Sequence, residues 1–227
     1  MILLFLGVIN TYAQKTLEKG TIKMEITDVT SDDDQAAMMA SMMKGSEMNL
    51  SFSGGKNVTQ MSMMGGMVNQ STYTNTEAKT FDMLMDMMGQ KYWISSTLDE
   101  MRKSENAAKA SEAKIVYDKK DTKKILGYDC YAMTVTMPGS ENASVKAYIT
   151  EAIKSKANMI QGMESMDFAG FPLEFNVDAQ VMKLTMTTVD IKDTVDETKL
   201  KVNGEGYTKM TMEEFKKKMG GMGGLGF

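Results

Sequence analysis

Residues 48–53 read Met-Asn-Leu-Ser-Phe-Ser, with Met48, Leu50 and Phe52 alternating with Asn49, Ser51 and Ser53. Successive side chains of an extended chain leave opposite faces, so three apolar groups share one face and three polar groups the other. Such a segment is half of an antiparallel pairing with one face on a core. Working outward, the same period of two recurs at Thr59, Met61 and Met63. It recurs again at Phe81, Met83, Met85 and Met87 against Asp82, Leu84 and Asp86, and at Tyr131, Met133, Val135 and Met137. Gly54-Gly55, Gly65-Gly66 and Pro138-Gly139 supply turns between these runs. Near the end of the chain Met182, Leu184 and Met186 share one parity and Val189 and Ile191 the other, which predicts a bulge or bend at Thr187-Thr188.

Three helices interrupt the strands. Ser31 and Asp34 form a capping-box pattern before Ala36 to Met43, with acidic residues where a helix N-terminus favours negative charge. Thr97 and Glu100 open a second helix running toward Glu112, anchored by Leu98, Met101 and Ala108. Thr211 and Glu214 open a third, stopped by Gly220 after Lys216-Lys217-Lys218. The expected fold is α+β and mainly β: one domain over 14–219, a curved antiparallel sheet (a half-barrel) with a few covering helices. Before it, MILLFLGVINTYA (1–13) has the hydrophobic stretch and small residues of a cleaved signal peptide, and is too short for the about 20 residues a membrane-spanning helix needs. This predicts export to the periplasm or outer-membrane periphery. After it, 220–227 is a Gly/Met-rich tail.

Composition excludes whole classes of chemistry. With no histidine and one cysteine there is no Ser-His-Asp or Cys-His nucleophile system, no histidine base and no Cys/His zinc site. A net charge of −4 gives no broad nucleic-acid face. Cys130 has no disulfide partner, so it is expected buried in a strand and inert. The GMGGLG run at 221–226 has dinucleotide-fingerprint spacing but no helix after it, and Asp32-Asp33-Asp34 lacks the glycine and distal glutamate of a calcium loop. No catalytic residue and no cofactor is expected, and the chain is read as a non-enzyme.

The 27 methionines are the anomaly. Methionine is a flexible, polarizable filler suited to surfaces that accommodate ligands of variable shape. The candidate ligand-lining residues are therefore Leu50, Phe52, Met61, Met63, Phe81, Met83, Met85, Met133 and Val135. Their partner would be a hydrophobic small molecule or lipid, with association at the outer membrane. An alternative takes Met61, Met63, Met64 and Met67 as thioether ligands for Cu(I) or Ag(I). A third makes the chain a structural envelope protein with a filled core. Met85→Asp separates lining from solid core, because in a packed core it buries an unpaired carboxylate.

Three stretches, TKKILGYDCYAMTV (122–135), GFPLEF (170–175) and GYTKMTMEEFKKK (206–218), together with Ala13-Gln14, resemble an uncharacterised domain-of-unknown-function family of exported Gram-negative envelope proteins. That family is in turn similar to the LolA/LolB-like lipoprotein carriers. The resemblance implies a strongly curved antiparallel half-barrel closed by helices over an apolar cavity, and as cargo a lipid, acyl chain or lipoprotein.

Overall fold

The computed structural model describes residues 16–31, 33–103, 112–136, 143–155, 167–179 and 182–220. The first thirteen residues, most of the tail, Met137 and the Pro138-Gly139 turn lie outside them. Twelve strands form one curved, unclosed sheet: β1 Lys19–Thr30, β2 Glu47–Ser53, β3 Lys56–Met63, β4 Val68–Asn75, β5 Thr80–Met87, β6 Gln90–Thr97, β7 Lys114–Ile125, β8 Tyr128–Thr136, β9 Ala143–Thr150, β10 Phe171–Ala179, β11 Lys183–Lys192 and β12 Thr208–Met210. Their order is β12-β6-β5-β4-β3-β2-β1-β11-β10-β9-β8-β7. Pairing is antiparallel except at one edge, where β12 runs parallel to β6 and makes the sheet mixed. At the other edge β7 is exposed along most of its length, and its register breaks between Asp118 and Thr122.

Register arranges the concave side in rows. One row crosses from β11 to β6 as Thr188, Met24, Met48, Met61, Gln70, Met85 and Tyr92; the next is Ile191, Ile22, Leu50, Thr59, Thr72, Met83 and Ile94. Leu184, Met186 and Ile191 all face inward only because β11 carries one extra residue. That residue is Val189, between Asp190 and Thr188, whose partners Lys23 and Met24 are adjacent on β1. The bulge therefore falls one residue beyond the predicted Thr187-Thr188, and Val189 is pushed toward solvent, 38% exposed.

Two apolar clusters cover the concave side. The larger joins β1, β2 and β8–β11, where Met24, Leu50, Met133, Val135, Ile149 and Leu173 are fully buried. Each such side chain contributes roughly 1.5–3 kcal/mol. The smaller gathers Phe81, Met83, Met85, Tyr92 and Ile94 against Phe215. Phe215 comes from α3 (Met212–Gly220), and its ring meets that of Tyr92 edge-on at 6.0 Å. Thr211 and Glu214 cap α3 reciprocally: the Thr211 hydroxyl accepts from the Glu214 N–H at 3.2 Å and the Glu214 carboxylate from the Thr211 N–H at 2.7 Å. The same box, Thr97 with Glu100, starts α2 (Leu98–Arg102); the predicted continuation over 104–111 lies outside the described residues. Helix α1 (Asp34–Met43) starts differently from expectation. Asp33 is the cap, its carboxylate accepting from the Ala36 N–H at 2.8 Å, while Ser31 accepts from the Asp33 N–H. A carboxylate gives the stronger, charge-assisted bond, so the cap shifts two residues along.

The convex side is not uniformly polar. Leu84 shares it with Asp82 and Asp86, as the alternation requires, yet is buried, as is Val58. The chain over 193–207 crosses here. Trp93, paired with Leu84, donates its indole N–H to Asp82 at 2.8 Å, Gly204 stands against the indole ring, and a 3₁₀ turn (Glu197–Leu200) lies along β2 and β3.

Burial ranks the substitutions. Met133→Ala or Leu50→Ala is expected to cost about 2–5 kcal/mol in urea denaturation, whereas Met88→Ala, at a position 79% exposed, stays within about 0.5 kcal/mol of the parent. Thr188 carries a buried hydroxyl with no hydrogen-bond partner among the described residues. Thr188→Val should raise the denaturation midpoint, because it removes an unpaired polar group while keeping the β-branched shape.

Candidate functional site

All the candidate lining residues face the concave side, but they do not form one lining. Leu50, Phe52, Met133 and Val135 are sealed in the larger cluster, and Phe81, Met83 and Met85 in the smaller. Met61 and Met63 lie between them on β3, half-buried. Their neighbours on this strip are polar: Thr59 on β3, and Gln70, Thr72 and Thr74 on β4, all half-buried, with the Gln70 amide donating to the Thr72 hydroxyl at 3.1 Å. The concave side is thus a trough, with two packed apolar banks and a floor of threonine, glutamine and methionine. The sequence reading missed β4. Its eight residues, VNQSTYTN, show no apolar alternation, and only their β-favouring Thr and Tyr content signals a strand.

A second concavity, of 520 Å³, opens at the other end of the sheet between the start of β1, the β7–β8 turn and the end of β11. Leu17, Leu126, Tyr128, Val189 and Ile191 line it with Asp190, Lys192, Asp193 and Thr194. None of the candidate residues reaches it. Its apolar lip is made by two irregularities that no periodicity encodes: the bulged Val189, and Leu126 at φ +48° in the Leu126-Gly127 hairpin turn.

The ionisable groups near these surfaces hold structure. Lys123 donates to both carboxylate oxygens of the buried Glu174, at 2.8 and 2.6 Å. Asp121 accepts from Lys146 at 2.7 Å and from the Tyr148 hydroxyl at 3.0 Å, and the Lys146 bond is the main reason its carboxyl sits below the ordinary range. Glu100 and Glu214 are likewise lowered by their capping hydrogen bonds. Burial pushes the Tyr131 hydroxyl up to about 12, and its bond to Glu151 adds to the shift. Among the described residues no three His, Cys, Asp or Glu side chains are grouped to hold a metal, and no helix is long and apolar enough to cross a membrane.

The glycines of the quoted stretches have structural reasons. Gly127 and Gly206 adopt φ +87° and +79°, and a Cβ on Gly170 would stand 2.7 Å from the Thr150 carbonyl oxygen. Pro172 sits at a register break of β10, the position in a sheet where a missing N–H is tolerated.

No family model matches the chain, and no curated protein matches it. Solved structures similar to it include the Mycobacterium tuberculosis lipoprotein LppX, at TM-score 0.35 and 8% identity over 79% of this chain and 89% of that one. MucB is similar at TM-score 0.34 and 10% identity, over 85% of this chain and 59% of that one. LprF from Mycobacterium bovis is similar at TM-score 0.30 and 9% identity, over 79% and 88%. Likenesses this distant assign neither a family nor a ligand.

Met85 is 1% exposed, so Met85→Asp should aggregate or unfold, whereas Met61→Asp on the half-open floor should give a soluble, folded protein by circular dichroism. Cys130 makes a second test. Burial, and then the neighbouring Asp129 carboxylate, raise its thiol from 9.0 to about 11. The folded protein should not react with a disulfide reagent at neutral pH and should react once unfolded. The thiol's contribution to stability is full below the unfolded value and is lost as pH rises from about 9 to about 11, because only the unfolded chain ionises there. Cys130→Ala should flatten that part of the stability profile.

Proposed function

We propose that this protein binds an elongated apolar or amphiphilic molecule, a lipid or acyl chain, along the β3–β4 trough. One observation carries the reading: between two packed apolar clusters the concave face stays half open along a strip where Met61 and Met63 sit beside Thr59, Gln70 and Thr72. A ligand laid there would meet adaptable thioethers for its chain and hydroxyl or amide groups for its polar end. Export to the periplasm or outer-membrane periphery, read from residues 1–13, belongs to the same proposal, as does binding through contacts alone, without bond-making chemistry.

A second reading, a structural envelope protein with a filled interior, draws support from the complete burial of Leu50, Met133 and Val135. One experiment separates the two. The purified protein is analysed by native mass spectrometry for co-purifying lipid, then titrated with a fluorescent fatty acid. The binding reading expects a bound lipid or saturable uptake, weakened about tenfold or more by Thr72→Trp, which fills the floor, and unchanged by Met88→Trp. A protein that carries no lipid and takes up no probe sinks it in favour of the filled interior.

A further inference from the structure

The hairpin turns at one end of the sheet hold methionines that packing does not explain. Met88, in the two-residue β5–β6 turn, is 79% exposed and adopts φ +51°. Turns of this kind favour Asn, Asp or Gly at that position, and a bulky side chain at positive φ is strained. Met64, in the β3–β4 turn, adopts φ +54°, and Met67 in the same turn is 44% exposed. Neither burial nor backbone preference selects methionine at Met88, and leucine would serve equally well as surface filler.

The two turns are neighbours with a fixed backbone. The Met88 N–H donates to the Met67 carbonyl at 3.0 Å. The Asn69 amide donates to the Gly66 carbonyl at 2.7 Å, and the Asp86 carboxylate accepts from the Gly89 N–H at 2.9 Å. This frame places three side chains ending in thioether sulfur on two adjacent turns, Met67 and Met88 exposed and Met64 half-buried. Helix α1 lies against the β3–β4 turn, with Met38 and Met42 on its exposed side. Thioether sulfur is a soft ligand that suits closed-shell monovalent ions and discriminates against hard cations. The one thiol is buried at Cys130, away on β8.

We propose that the thioethers of Met64, Met67 and Met88 form a binding site for one soft d¹⁰ cation, Cu(I) or Ag(I). This differs from a site read from sequence spacing alone, because Met61 faces the trough with Met48 and Gln70, and Met88 comes from a different hairpin. The site is also distinct from the proposed lipid trough, and each can fail without the other.

The test uses the full chain in chloride-free buffer, titrated with Ag(I) by calorimetry, and with Cu(I) in competition with a chromogenic chelator under reductant. One equivalent should bind. Affinity should fall about tenfold or more in the Met64→Leu/Met67→Leu/Met88→Leu variant and stay unchanged in Met38→Leu/Met42→Leu. Should the triple variant fail to fold, methionine methyl NMR of the parent decides: Ag(I) should shift the methyl resonances of Met64, Met67 and Met88 and leave those of Met24 and Met133 in place. No saturable binding by the parent, binding that survives in a folded triple variant, or shifts confined to other methionines would overturn the proposal.

Discussion

A slip of β2 by one residue against β1 would turn Met48, Leu50 and Phe52 outward and bring Asn49, Ser51 and Ser53 onto the core. Parity is the constraint on which this structure depends, because a sheet with one buried face tolerates a single register. The row from Met24 through Met48 to Met61 exists only while three consecutive strands keep it. The cost of losing it is the burial of several fully enclosed side chains, far more than any surface ion pair offers.

Bulges let a long curved sheet keep parity where its sequence does not. Val189 on β11 and Thr27 on β1 are each extra residues, and so is Leu173 on β10, whose flanking Pro172 and Glu174 pair with adjacent residues of β9, Ile149 and Tyr148. Each adds local twist and bend, and together they help give the sheet its curvature. The curvature makes the two sides unequal: the concave one gathers two clusters, while the convex one takes the Lys123–Glu174 and Lys146–Asp121 pairs and the crossing segment against Trp93.

Strands β2, β5 and β8 were legible because their apolar residues alternate without interruption. β4 was not, since both of its faces are polar, and of the three caps only that of α1 was misplaced, since Asp33 competes with Ser31 for the same orphan N–H groups. The shared orientation of the candidate residues followed from period two alone. Their division into sealed banks and a half-open floor did not, because alternation says which way a side chain points and nothing about what lies across from it. The 520 Å³ concavity was equally hidden, resting on a bulge and a left-handed leucine.

The unclosed sheet leaves β7 as an edge, and its composition bears on whether another chain can pair with it. An exposed strand is a template on which another chain can add itself. Here Lys119, Lys120, Lys123 and Lys124 stand along it, and the break between Asp118 and Thr122 interrupts any straight run of donors and acceptors. The opposite edge, β12, is three residues long. An incoming strand would have to bury ammonium groups at one side and would find only a three-residue strand at the other, so neither edge is a ready template for strand addition.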